Sequence, residues 1–147
     1  MKNGVRYLGF LPERMIWLLY RNVICHWFTP YLEDFGLTPI ESMLQETSVI
    51  ASNDGGARYT VIDETGFLVD PNDAYAFAEM TAMLLDQPDD RNRMGQKGRE
   101  HVLEYFTWNI TSRSGTNYYT RCQNEFFQPY INRAKNRTFF YSHKYQH

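Results

Sequence analysis

Short β-branched and aromatic runs alternate with stretches of helical period along the first seventy residues. Val5-Arg6-Tyr7-Leu8 predicts a strand ended by Gly9, and Pro12-Glu13 opens a helix whose apolar positions Met15, Leu18 and Leu19 carry it to Arg21. Val23 to Phe28 is a run of the kind found in buried strands, and Val49-Ile50-Ala51 is another. Between them Thr38-Pro39 starts a helix to about residue 45, and Ser52 to Gly56 is a turn cluster. The order β-α-β-α-β predicts parallel strands joined by helical crossovers.

Gly66 to Val69 adds a further strand, closed by Asp70-Pro71. Asn72 or Asp73 can cap the next helix, in which Phe77, Met80 and Leu84 keep helical spacing. Pro88 opens a short helix punctuated by Gly95 and Gly98, with Val102, Leu103 and Phe106 continuing an apolar face; Thr107 can cap a last helix from Trp108. The fold class is therefore α/β, a partial Rossmann-like parallel sheet of about four strands with flanking helices and a helical C-terminus.

Composition narrows the function classes. With 147 residues, 43% of them hydrophobic, the chain can bury one core, and a net charge of −2 argues against a nucleic-acid binder driven by bulk electrostatics. No apolar run is long enough to span a bilayer and no secretory pattern opens the chain, so the expected compartment is cytoplasmic. Cys25 and Cys122 fit reduced thiols better than a disulfide framework or a metal site. There is no Ser-His-Asp order, metal-ligand spacing or Walker-type glycine loop; His26 is expected to be a packed core or rim residue and His101 a surface one.

The candidate chemistry gathers between Pro30 and Glu41. A helix start that follows a strand presents free amides and the positive end of the helix dipole, a setting that favours phosphate, and Gly36 allows close backbone approach. The carboxylates Glu33 and Glu41 flank it. Each has a plainer reading: Thr38-Pro39-Ile40-Glu41 is also a capping box, and Glu33 alone is most often a solvated loop carboxylate.

Glu33-Asp-Phe-Gly-Leu-Thr-Pro-Ile-Glu41 resembles the E-x7-E loop of retaining GT-B glycosyltransferases of the family 4 type. The resemblance extends over residues 5 to about 113, through Tyr-Leu-Gly-Phe-Leu-Pro at 7–12, Ala-Ser-Asn-Asp-Gly-Gly at 51–56, Glu-Thr-Gly-Phe-Leu-Val-Asp-Pro-Asn-Asp at 64–73, Met-Gly-Gln-Lys-Gly-Arg at 94–99 and Phe-Thr-Trp at 106–108. It implies a donor-binding domain over 1–113, followed by a C-terminal helix and tail over 114–147. It implies Glu33 at the donor sugar as the catalytic position, and Phe35, Gly36, Leu37, Thr38, Glu41 and Leu11 as donor-binding residues. Glu41 would take the ribose hydroxyls, the amides of 36–38 the diphosphate, and Leu11 would lie beside the base. The implied substrate is an NDP-sugar, without a metal cofactor.

The chain departs from the family pattern at Thr29, at Glu46 and Ser48 where a glycine and a proline are usual, and at Arg58 and Tyr59 where a proline and a glutamate are usual. It has no counterpart of the family's N-terminal domain or of the segment supplying an Arg and a Lys to the donor phosphates, so transfer is expected only with a complementary N-terminal domain. In the strand order 3-2-1-4-5-6 the Val5 strand would be third and the Val23 strand fourth, with the first two strands between them. The expectation is that Val5–Leu8 pairs directly beside Val23–Phe28. A non-catalytic remnant or interaction domain is the alternative function. The tail, with Arg133, Lys135, Arg137 and Lys144 among many aromatics, could contact an anionic membrane surface peripherally; a frayed terminal helix is the preferred reading.

Overall fold

A computed structural model describes residues 4–106. The chain enters as extended, exposed backbone and forms α1 (Glu13–Asn22), β1 (His26–Phe28), α2 (Leu37–Leu44), β2 (Val49–Ser52), α3 (Ala57–Thr60), β3 (Gly66–Val69), α4 (Ala74–Asp86) and α5 (Pro88–Tyr105). The three strands make one parallel sheet in the order β1-β2-β3, with His26 opposite Val49 and Ile50 opposite Phe67.

Every residue of the central strand β2 is buried, because helices cover both faces of the sheet. On one face Ile40, Met43 and Leu44 of α2 meet Phe28, Val49 and Ala51 from the strands, with Val61 and, from α5, Val102. On the other, Ile50 meets Phe77 and Leu84 of α4, with Ile24, Cys25 and Met94 packed around them. Each such fully buried aliphatic side chain contributes about 1.5–3 kcal/mol. Among the described residues no helix is long and apolar enough to cross a membrane.

The expected first strand does not form. Val5 and Tyr7 are almost fully exposed, Gly4 and Gly9 turn the backbone with φ of 70° and 66°, and residues 5–8 pair with nothing in the sheet. The pairing of Val5–Leu8 beside Val23–Phe28 is thus corrected, and among the described residues the sheet has three strands. A strand gains its ladder only from a neighbour, and β1, only three residues long, offers a short edge. Val23 to Cys25 lead into β1 but lie outside its ladder.

Glycines at 95 and 98 do not interrupt α5, which runs 18 residues unbroken. Both are places where α5 approaches α2 and its exit: a Cβ at 95 would stand 2.0 Å from the Glu46 carbonyl oxygen, and one at 98 would stand 3.0 Å from the Met43 side chain. The exit of α2 is equally specific. Glu46 N–H donates to the Met43 carbonyl at 2.9 Å and Thr47 N–H to the Ser42 carbonyl at 3.2 Å, a complete Schellman motif. Glu46 occupies its left-handed position with φ 64°, where the family pattern has glycine, so the helix end is tight despite the missing glycine. Arg99 reaches the same corner, donating from Nη1 to the Leu44 carbonyl and standing 3.7 Å from the Glu46 carboxylate.

Asp73, of the two candidate caps, accepts the Ala76 amide at 2.9 Å and starts α4. His101 is half-buried rather than a surface residue: its ring packs on Tyr105 and Phe106, and burial pulls its pKa down. The boundary at 113, the helix after Thr107, Cys122 and the tail 126–147 lie outside the described residues.

Candidate functional site

β1 ends at Phe28 and releases the chain at the carboxyl edge of the sheet, the edge where open α/β folds bind ligands. The loop that follows is held from beneath by the turn after β2. Asp54 Oδ2 accepts the Leu32 amide at 2.8 Å, and Gly56 N–H donates to the Glu33 carbonyl at 2.7 Å. A Cβ on Gly55 would stand 2.3 Å from the Glu33 carbonyl oxygen. One on Gly56 would stand 2.4–2.5 Å from three backbone atoms of Phe35. The glycine pair is therefore the bed on which the loop lies. From the sequence, residues 52–56 read as a turn and part of the family resemblance; their role as a bed was hidden because the loop they support lies more than twenty residues earlier in the chain.

Gly36 ends the loop with φ 74° and serves as the residue ahead of α2; a Cβ on it would stand 3.3 Å from Thr60 Oγ1, 3.6 Å from the Ala57 amide nitrogen and 3.7 Å from the Phe28 ring. The helix begins at Leu37 with no side-chain cap, so Thr38 lies in its first turn and the capping box is not made. The first-turn amides, which include Leu37 and Thr38, have no intrahelical acceptor. Among the candidate residues, Glu33 and Thr38 are exposed, while Leu37 and Phe35 are half-buried against the core and the Phe35 ring stands edge-on to Phe106 at 6.2 Å.

Glu41, half-buried, meets Tyr20 at the end of α1 instead of the Thr38 amide. Burial raises its pKa, and the hydrogen bond from the Tyr20 hydroxyl opposes that rise. The Tyr20 phenol is in turn pushed up to about 12 by burial and by the Glu41 charge and hydrogen bond. Thr47 Oγ1 donates to the Tyr20 carbonyl and so pins the end of α1 against the sheet. A carboxylate has two oxygens and about four acceptor positions, so Glu41 can hold Tyr20 and still accept further hydroxyls. Leu11 is half-buried, one residue ahead of Pro12, the N-cap of α1.

His26 lies beside the site without entering it. Ser42 Oγ donates to the Pro39 carbonyl at 3.0 Å, so His26 Nδ1–H donates to Ser42 Oγ at 3.0 Å. Its ring packs on Tyr20 at 5.2 Å, and burial brings its pKa down to about 4. This is the packed histidine expected from its strand-like surroundings. Among the described residues no group of three or more His, Cys, Asp or Glu is placed to hold a metal ion.

The chain is similar to alpha-1,3/1,6-mannosyltransferase alg-2 of Neurospora crassa, 38% identical over 69% of this chain and 22% of that protein. It is similar to D-inositol 3-phosphate glycosyltransferase of Corynebacterium efficiens, 34% identical over 79% of this chain and 27% of that protein. Among solved structures it superposes on sucrose-phosphate synthase of Thermosynechococcus elongatus with a TM-score of 0.70 and 37% identity, over 78% of this chain and 29% of that one. The chain spans about a quarter of the length of these relatives. Its α/β sheet is part of a GT-B fold. The family model for glycosyl transferases group 1 matches residues 1–101, and the chain belongs to that family.

Proposed function

We propose that the chain is the donor-binding part of a retaining hexosyltransferase, with the loop 30–41 as its nucleotide-sugar site. The observation that carries this reading is the loop itself, laid on Gly55-Gly56 at the carboxyl edge of the sheet, with Glu33 and Thr38 exposed to solvent. Glu33 accepts hydrogen bonds from sugar hydroxyls and positions the sugar. The amides of Gly36, Leu37 and Thr38, with the positive end of α2 behind them, take the diphosphate, the dipole contributing about 0.3–1 kcal/mol. Glu41 accepts the ribose diol while Tyr20 fixes its carboxylate, and Leu11 lies near the base. No metal is required by this arrangement.

Neutralising the leaving diphosphate calls for cations that these residues do not supply, so transfer to an acceptor is assigned to an assembly with a complementary N-terminal Rossmann-like domain. The mannosyltransferase and inositol-phosphate relatives make a hexosyl donor the reading of choice. Calorimetric titration with UDP-, GDP- and ADP-hexoses tests it: one of them binds saturably to the wild type and weakens about 10- to 100-fold in Glu41→Ala, the loss expected for hydrogen bonds to a charged group. Absence of saturable binding by all three overturns the reading for the chain alone and leaves the non-catalytic alternative.

A further inference from the structure

The carboxyl ends of β2 and β3 open onto a second depression beside the loop, about 340 Å³ in volume and lined by Tyr31, Asn53, Asp54, Arg58, Asp70 and Asn72. That volume is at the small end of the ~300–1,000 Å³ of small-molecule sites. Its polar groups are held in place by short local bonds that leave part of each one open. Arg58 donates from Nε to Asn53 Oδ1 at 3.0 Å and to the Asn53 carbonyl at 3.1 Å, and from Nη2 to the same carbonyl at 2.8 Å. Its guanidinium is thus fixed on one side; among the described residues Nη1 has no hydrogen-bond partner and no carboxylate pairs with the group. Asp70 takes the Asn72 amide and side chain through Oδ1 alone, and Asp54 takes the Leu32 amide through Oδ2 alone. Among the described residues no hydrogen bond reaches the other oxygen of either carboxylate.

A fixed guanidinium, two carboxylates, two side-chain amides and one exposed phenol ring alternate donors with acceptors around a small space. A hydroxyl group is both donor and acceptor, so a ligand bearing several on adjacent carbons matches this set. Two carboxylates oppose an anion, and the polar lining offers little to an apolar ligand. The location adds direction: Asp54 holds the amide of Leu32, one residue before Glu33. We propose that this cleft is a subsite for an uncharged, hexose-sized acceptor unit, with Arg58 donating to one ring hydroxyl and Asp54 and Asp70 accepting from others. The proposal rests on the reading of the chain as a hexosyl-donor domain.

Titration of the ¹⁵N-labelled full chain with methyl α-mannopyranoside and methyl α-glucopyranoside, followed by NMR, tests it. At least one glycoside shifts Asn53, Asp54, Asn72 and the Arg58 Nε–H signals saturably. Arg58→Ala weakens that binding by about tenfold or more, and Arg58→Lys also weakens it because the planar fork is lost. Arg58 is exposed, so both variants fold, and donor binding in them stays at the wild-type level. No saturable shift at these residues, or unchanged affinity in Arg58→Ala, overturns the proposal. Loss of nucleotide-sugar binding in the wild type would overturn the donor reading instead, and the glycoside titration still reads the cleft separately.

Discussion

Replacing Gly56 by alanine tests whether the turn after β2 carries the binding loop. The Gly56 backbone is helical, with φ −66° and ψ −22°, so alanine there would by backbone preference stabilise the fold by about 0.4–1 kcal/mol. Sterics act against this. The new Cβ would stand 2.4–2.5 Å from Phe35 Cα, C and N, and those are backbone atoms with no rotamer to give way. Overpacking of this kind costs about 1–3 kcal/mol. Moving the loop away also breaks the bond from Gly56 N–H to the Glu33 carbonyl, about 0.5–1.5 kcal/mol more. The steric and hydrogen-bond terms win, and the net destabilisation is about 0.5–4 kcal/mol. Urea unfolding of wild type and Gly56→Ala measures it, and nucleotide-sugar titration of the folded variant shows a weakened site. A Gly56→Ala protein as stable as wild type, or more stable, would refute the bed-and-loop account.

Three further outcomes follow from the same structure. Glu46 sits in the left-handed position of the Schellman motif, so Glu46→Gly is more stable than Glu46→Ala by about 1 kcal/mol in urea unfolding; equal midpoints would contradict the motif. The Arg99–Glu46 pair, long and half-exposed, is lost in both variants and cancels. In Tyr20→Phe the hydrogen bond that opposes the rise of Glu41 disappears, so the Glu41 carboxyl, followed by NMR, titrates at higher pH than in wild type; an unchanged or lower value refutes the contact. For His26 the folded pKa of about 4 lies below the unfolded ~6.5, so only the unfolded chain takes up the proton in between and stability falls as pH drops through that window. The drop from pH 7 to 4.5 carries roughly 2–3 kcal/mol from this ring, and His26→Gln flattens that part of the profile in urea midpoints; identical profiles would exclude burial as the cause.

Local pattern made much of this fold legible. The runs at 49–51 and 66–69 became strands, the apolar spacing after Pro12 and Asp73 became α1 and α4, and Glu33 to Glu41 marked the loop and its family. What stayed hidden depends on distant chain. Gly56 reads as a turn until Phe35 lies on it, and Gly95 and Gly98 read as helix breaks until α2 packs against them. Glu46 carries a left-handed φ that no periodicity announces. Val5–Leu8 has the composition of a strand, but pairing needs a neighbour. Tyr20 at Glu41 likewise joins two residues twenty-one positions apart on different helices, and a capping box was the nearer partner on sequence alone.

The most direct test of the donor-binding reading follows the amides of Gly36, Leu37 and Thr38 in the ¹⁵N-labelled chain as UDP-, GDP- and ADP-hexoses are added. The account predicts saturable shifts with one donor, centred on these amides and on Glu41, and their loss in Glu41→Ala. Shifts absent with every donor, or centred elsewhere and indifferent to Glu41→Ala, would contradict it.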